Sequence, residues 1–197
     1  MSFRKEEKLL INSNQVFDFK KWMSSKGFLK IYKDRAVNSL YFENNSNKMF
    51  LDSEEGIVPR KKIRVRNYPE ANTSIDYFLE VKISSTEGRY KDSKKININR
   101  FNNFKKNGYI DNFYGVCVPK LQISYFREYY KQSDTRVTID SKIIYKDFKN
   151  DKLFFKDQLN AVEIKSNINK SVDELYYEFP FQRVRFSKYC RGFGFLY

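Results

Sequence analysis

The sequence predicts an α+β, barrel-like architecture of roughly eight or nine strands with helices attached at their ends. Three observations carry this reading. Short segments that alternate apolar and charged side chains recur along almost the whole chain, which is the strand period. A few stretches show helical spacing behind a capping residue. Glycine and proline are sparse, at 7 and 4, and no linker or internal repeat interrupts the 197 residues, so 1–197 reads as a single domain.

The elements follow in order. Residues 3–11 read as a strand carrying charge. Residues 14–25 read as a helix: Ser13 or Asn14 caps it, Val16, Phe19, Trp22 and Met23 fall at helical spacing, and Gly27 stops it. Residues 36–43 are a strand and 46–52 a short helical turn. Residues 60–68, 76–84 and 89–98 are three successive strands, followed by a helix near 100–107. Residues 119–131 and 135–146 form a long hairpin around Gln132-Ser133-Asp134. Residues 151–156 and 159–166 are further strands. Residues 171–178 suggest a helix capped by Ser171, with Asp173 and Glu174 in its first turn. Residues 183–190 close the chain as an extended segment.

Composition excludes several chemistries. Histidine is absent, so no His general base, Ser-His-Asp or Cys-His machinery or His metal ligand exists. Any metal must sit on oxygen ligands, which favours Mg²⁺, Mn²⁺ or Ca²⁺. Cys117 and Cys190 form no metal or redox spacing and read as reduced thiols. The first residues, charged from Arg4 onwards, do not resemble a signal peptide, and no apolar run approaches membrane-spanning length. The expectation is a cytoplasmic chain. Thirty-eight Lys+Arg against 24 Asp+Glu give +14. With 26 Lys, 18 Asn and only 3 Ala, part of that excess reflects an AT-rich coding bias. What matters is where the charges fall.

They fall on strand faces. In 60–68, Arg60, Lys62, Arg64, Arg66 and Tyr68 share one face, and Ile63 and Val65 the other. Arg4, Glu6 and Lys8 share a face; Glu80 and Lys82 lie opposite Leu79, Val81 and Ile83; Lys91 and Ser93 follow. Tyr125, Arg127 and Tyr129 align, as do Arg136, Thr138 and Asp140. Glu163 and Lys165 lie opposite Val162 and Ile164, and Lys188 comes near the end. In any single strand such a face simply meets water. Repeated over seven segments, with good core faces opposite, it also fits a lumen, with helices covering the outward apolar faces. About ten cations in a lumen are unstable when empty and are stabilised by a polyanion with a divalent cation.

These segments, in this order, resemble the VTC (vacuolar transporter chaperone) polyphosphate polymerase domain of the triphosphate tunnel metalloenzyme, or CYTH, superfamily. The motifs are Arg4-x-Glu6-x-Lys8, Ser39-Leu40-Tyr41-Phe42, Lys62-Ile63-Arg64-Val65-Arg66-Asn67-Tyr68, Leu79-Glu80-Val81-Lys82, Tyr125-Phe126-Arg127, Arg136-Val137-Thr138-Ile139-Asp140, Val162-Glu163-Ile164-Lys165 and Ser187-Lys188-Tyr189. The resemblance spans residues 3 to 190. It implies a closed tunnel of eight antiparallel strands with a few flanking helices. It further implies transfer of the ATP γ-phosphate onto a growing polyphosphate chain with Mn²⁺ or Mg²⁺. The phosphate ligands it implies are Lys62, Arg64, Arg66, Lys82, Lys91, Arg127, Arg136, Lys165 and Lys188, joined by Arg4 and Lys8. Lys94 and Lys95 are alternative alignments for Lys91. Lys62, Arg64, Arg66, Lys82, Arg127 and Arg136 would act on the transferring group. Glu163 is the first candidate metal ligand, with Glu6 and Glu80 behind it. Arg4 stands where many hydrolytic tunnel enzymes have glutamate, which points to the VTC branch.

The residue types suit the chemistry. Arginine grips phosphate through a planar fork and lysine as a movable charge. Phosphoryl transfer needs positioning and charge stabilisation more than covalent chemistry. A phosphate acceptor is already anionic, so chain extension needs no general base. Hydrolysis would need a carboxylate such as Asp140 or Glu6 to orient water. The competing functions are a triphosphatase acting on tripolyphosphate or nucleoside triphosphates, a non-catalytic polyphosphate-binding module, and a nucleic-acid binder. The in-phase carboxylates disfavour nucleic acid. Any membrane partner would be a separate chain.

Overall fold

A computed structural model describes residues 4–69, 75–167 and 181–197, apart from the Arg4 side chain. The helix expected at 171–178 lies outside them. The strands are β1 (Arg4–Ile11), β2 (Leu29–Glu43), β3 (Arg60–Asn67), β4 (Tyr77–Ser85), β5 (Gly88–Ile96), β6 (Tyr109–Asp111), β7 (Gly115–Gln132), β8 (Thr135–Asp147), β9 (Phe154–Lys156) and β10 (Asn160–Asn167). The helices are α1 (Ser13–Ser25), α2 (Lys48–Glu55), α3 (Ile98–Asn107) and α4 (Lys188–Leu196).

The sheet corrects the expected closed eight-stranded barrel. Among the described residues it has ten strands in the order β1-β10-β8-β7-β2-β3-β4-β5, with β6 on β7 and β9 on β8. Among the described residues no pairing joins β5 to β1, so the sheet is not closed. The two ends show why. β5 carries Arg89, Lys91, Asp92, Lys94 and Lys95, all exposed, and a charged edge resists further strand pairing. Beside β1, the backbone N–H of Val184 donates to the Lys8 carbonyl at 2.9 Å.

Local chemistry explains the other differences. The cap of α1 is Asn12, one residue before the expected pair. It forms a capping box, its side chain accepting from the Gln15 N–H while the Gln15 side chain accepts from the Asn12 N–H, both at 2.9 Å. Gly27 adopts φ +78°, which ends the helix as expected. β2 starts at Leu29, earlier than expected, and the turn at 46–52 is the full helix α2. The strand expected at 151–156 is confined to Phe154–Lys156, and the short β6 was not expected.

The segment 183–190 is not a strand. Residues 182–187 are irregular, and α4 begins after Ser187, whose hydroxyl accepts from the Cys190 N–H. Gly192 and Gly194 disguise a helix whose Tyr189, Phe193 and Leu196 form one buried stripe. A Cβ on Gly192 would lie 2.6 Å from Tyr145 Cδ1 and 3.0 Å from Leu121 Cδ2, both on buried side chains. Gly192→Ala is therefore expected to cost about 1–3 kcal/mol by overpacking, read as a lower midpoint in urea.

The chain forms two compact units. One comprises residues 1–35, 125–143 and 157–186; the other comprises 36–124, 144–156 and 187–197. In the first, Phe19 and Met23 of α1 pack on Leu9, Ile11, Val137, Ile139, Val162 and Ile164. The apolar faces of β1, β8 and β10 are thus covered by a helix. In the second, Met49 of α2 and Phe104 of α3 pack on Leu40, Phe42, Ile63, Val65 and Leu79. The alternation read from the sequence is obeyed in both units, with helices on the apolar side and the charged faces reversed.

Candidate functional site

Each unit carries its own cationic strand face. In the second unit, register aligns it across four strands. Ser39 pairs with Arg66 and Tyr41 with Arg64; Lys62 faces Lys82, Arg64 faces Glu80, and Lys82 faces Lys91. Partners directly opposite share a face. Arg64 and Arg66 are buried, so this face is not an ordinary solvated one. Arg64 donates to Glu80 Oε2 from Nε (2.7 Å) and Nη2 (2.5 Å), and to the Tyr41 hydroxyl at 2.7 Å. Arg66 donates to Ser39 Oγ at 3.0 Å. Lys91 reaches Glu80 Oε1 at 3.0 Å. Lys82 and Lys91 are exposed. Burial pushes the Glu80 carboxyl up, but the charges of Arg64 and Arg66 outweigh it and hold the group at about 2. Both Glu80 oxygens are thus engaged by cations, which leaves the group placed as an anchor for arginines.

Helix α4 packs on this face. Lys62 Nζ donates to Ser187 Oγ at 2.9 Å and lies 5.1 Å from the centre of the Tyr189 ring, which in turn sits 5.1 Å from Tyr41. Lys188 lies in the first turn of α4 rather than on a strand. Tyr189 donates its hydroxyl to the buried Glu43, which also accepts from the backbone N–H groups of Asn44, Met49 and Phe50. Burial pushes the Glu43 carboxyl above its usual range. Sequence reading missed Glu43, although its phase with Ser39 and Tyr41 on β2 was visible.

In the first unit, Glu6 pairs with Lys165 and Lys8 with Glu163 across β1 and β10; Lys165 pairs with Arg136 and Glu163 with Thr138 across β10 and β8. Arg127, Tyr129, Arg136, Thr138, Glu163 and Lys165 line one pocket. Thr138 Oγ1 is sealed from solvent and, among the described residues, has no hydrogen-bond partner. Arg127 makes a bidentate contact with the buried Asp140, Nε to Oδ1 at 2.6 Å and Nη2 to Oδ2 at 2.7 Å, and lies 5.2 Å from the Tyr125 ring centre. Lys8 Nζ bridges Glu6 at 3.1 Å and the Phe186 carbonyl at 3.1 Å. Lys165 lies 3.6 Å from both Glu6 and Glu163. Burial pushes Glu6 up, but a hydrogen bond with Glu163 and the charges of Lys8 and Lys165 hold it well below the usual carboxylate range. Tyr41 and Tyr125 are buried and pack rather than offer a stacking surface.

Glu6 and Glu163 both lie 3.6 Å from Lys165 Nζ, so two carboxylates flank one position, the all-oxygen chemistry that suits Mg²⁺ or Mn²⁺. Such ions use one or two carboxylates and complete their shell with water and substrate phosphate. Among the described residues no cluster of three or more acidic, histidine or cysteine ligands exists, so the protein offers this pair and no closed cage. Among the same residues no helix is long and apolar enough to cross a membrane.

Comparisons agree with this geometry at the level of fold. A candidate adenylate cyclase from Bacillus halodurans superposes with a TM-score of 0.64 at 12% identity, over 98% of this chain and 97% of that one. A second, from Vibrio parahaemolyticus, gives 0.58 at 11% identity over 98% of each chain. No curated protein is significantly similar in sequence. The VTC domain model matches residues 3–197, essentially the whole chain. On that match, and on basic faces that keep their strand phase from β1 to β10, the chain belongs to the VTC domain family.

Proposed function

We propose that the protein is a polyphosphate polymerase that transfers the ATP γ-phosphate onto a growing inorganic polyphosphate chain. The observation that carries the reading is the pocket of the first unit. Three cations, Arg127, Arg136 and Lys165, line it together with Glu163 and Thr138. A phosphate in this pocket would meet three cationic side chains, of which Arg127 is already oriented by Asp140. Lys62, Arg64, Arg66, Lys82 and Lys91 offer phosphate oxygens a second set of donors, on the face that also carries Glu80.

The residues act by holding and orienting. Asp140 fixes the fork of Arg127, and Glu80 fixes that of Arg64, so both guanidinium planes are set before substrate arrives. The acceptor oxygen carries its own charge, so no residue has to remove a proton. Glu163 with Glu6 would hold Mn²⁺ or Mg²⁺, which supplies neutralisation of charge on the transferring group. Hydrolysis fits less well, because Asp140 is committed to Arg127 and Glu6 would be committed to the metal.

The test uses γ-labelled ATP, Mn²⁺ and purified protein, with products resolved on a gel beside Glu163→Ala. The expected result is a ladder of long chains, reduced at least about a hundredfold in the variant. Orthophosphate alone would assign a triphosphatase. Equal polyphosphate binding by both proteins without turnover would assign a binding module.

A further inference from the structure

Within the second unit, the β6–β7 hairpin leaves three large apolar side chains in solvent. Ile110 is 75% exposed, Phe113 62% and Val116 55%. Ile110 and Val116 are register partners, so they share one face, and Phe113 sits in the turn between them. The opposite face is well packed: Tyr109 pairs with Cys117, which is fully buried. The turn is also firmly held. Asp111 accepts from Lys61 at 2.8 and 3.1 Å and from the Phe113 and Tyr114 N–H groups, and the Tyr114 hydroxyl donates to Asp52 at 2.8 Å. A rigid hairpin with a solvated apolar tip needs an occupant, since single exposed apolar residues are ordinary but adjoining ones are not.

Charge decides which occupant. From Ser93 to Lys120 the chain has six Lys or Arg and one carboxylate, Asp111, which is buried and paired with Lys61; the exposed Asp92 on β5 is the other carboxylate felt at Tyr109, so cations still dominate around the hairpin. Lys105 and Lys106 end α3 just before the hairpin; Lys106 is exposed, and Lys105 is half-buried with its Nζ 4.8 Å from the Phe101 ring centre. A second copy of this chain would bring the same cations against themselves. Nucleic acid would meet the cations but leave the apolar tip in water. An anionic bilayer satisfies both, taking the tip into its interface and the lysines at its headgroups.

We propose that the β6–β7 hairpin is a membrane-surface anchor, in which Ile110, Phe113 and Val116 insert into the interface of an anionic leaflet while Lys105 and Lys106 contact its headgroups. The contact is peripheral and reversible.

The test is co-sedimentation of the full chain with phosphatidylcholine vesicles with and without phosphatidylserine, at low and high salt. Binding is expected only with phosphatidylserine and is expected to weaken in salt. Ile110→Ser, Phe113→Ser and Val116→Ser combined should reduce it at least about tenfold, and Lys105→Ser with Lys106→Ser about fivefold or more. An unchanged thermal midpoint shows that these surface variants fold. Phe113→Trp provides a second reading, because its emission should shift to the blue on anionic vesicles. No sedimentation of the parent chain, or equal sedimentation of the triple serine variant, would overturn the anchor. A doubled mass in solution that the serine variant abolishes would assign the tip to self-association instead. None of these outcomes depends on ATP turnover.

Discussion

Glu80→Ala is expected to lower the unfolding free energy by about 3–5 kcal/mol, measured by denaturant titration. The carboxylate is 3% exposed, and it neutralises Arg64, itself 6% exposed. Removing it takes away the carboxylate that Arg64 and Arg66, neighbours on one face of β3, share. Coulomb repulsion and lost hydrogen bonds then act in the same direction. The pH dependence follows with a definite sign. The folded carboxyl is held at about 2 against an ordinary 4.5, so its contribution is complete above pH 5 and is lost as pH falls towards 2. Glu43 works in the opposite sense, because burial raises it. The diagnostic quantity is therefore the difference in acid slope between the parent and Glu80→Gln. Parallel curves would remove Glu80 from the account.

Asp140→Ala is the second large effect, again about 3–5 kcal/mol, because it strands Arg127 without its bidentate partner. Asp140 and Arg127 together hold two parallel hydrogen bonds in a nearly dry position. An Asp140→Leu and Arg127→Met pair should recover most of that stability, since apolar groups of similar volume replace a buried ion pair at little cost. Under the proposed function the double variant should remain folded and lose polyphosphate binding. A double variant as unstable as Asp140→Ala would mean that the pair carries net stabilisation of its own.

Much of this was legible in the sequence, for one physical reason. A strand shows its two faces in alternate residues, so Arg64 and Val65 announce opposite environments without any tertiary knowledge. The same rule brought Glu163, Lys165 and Arg136 together correctly. What alternation cannot show is which face is dry. Arg64, Arg66 and Asp140 are buried only because each finds a partner on another strand, and that depends on register. Sheet closure was illegible for a related reason: it depends on the edges, and the charged residues of β5 looked like one more lumen face. Helix α4 was hidden by Gly192, whose missing Cβ is a packing requirement set by Tyr145 and Leu121. Glu43 was passed over because its partner, Tyr189, is 146 positions away.

The two units also differ in how far the chain must travel to build them. Most of the second is one continuous run, 36–124. The first is gathered from three separate stretches, and its β1 meets β10 only by closing a loop of about 150 residues. Loop-closure entropy makes such a pairing slow, while the continuous run folds through nearer contacts. During synthesis Leu9, Ile11, Phe19 and Met23 emerge long before Val162 and Ile164 exist to cover them. The N-terminal stretch is thus the part of the chain with the longest wait for its partners, and the part most in need of protection from aggregation while it waits.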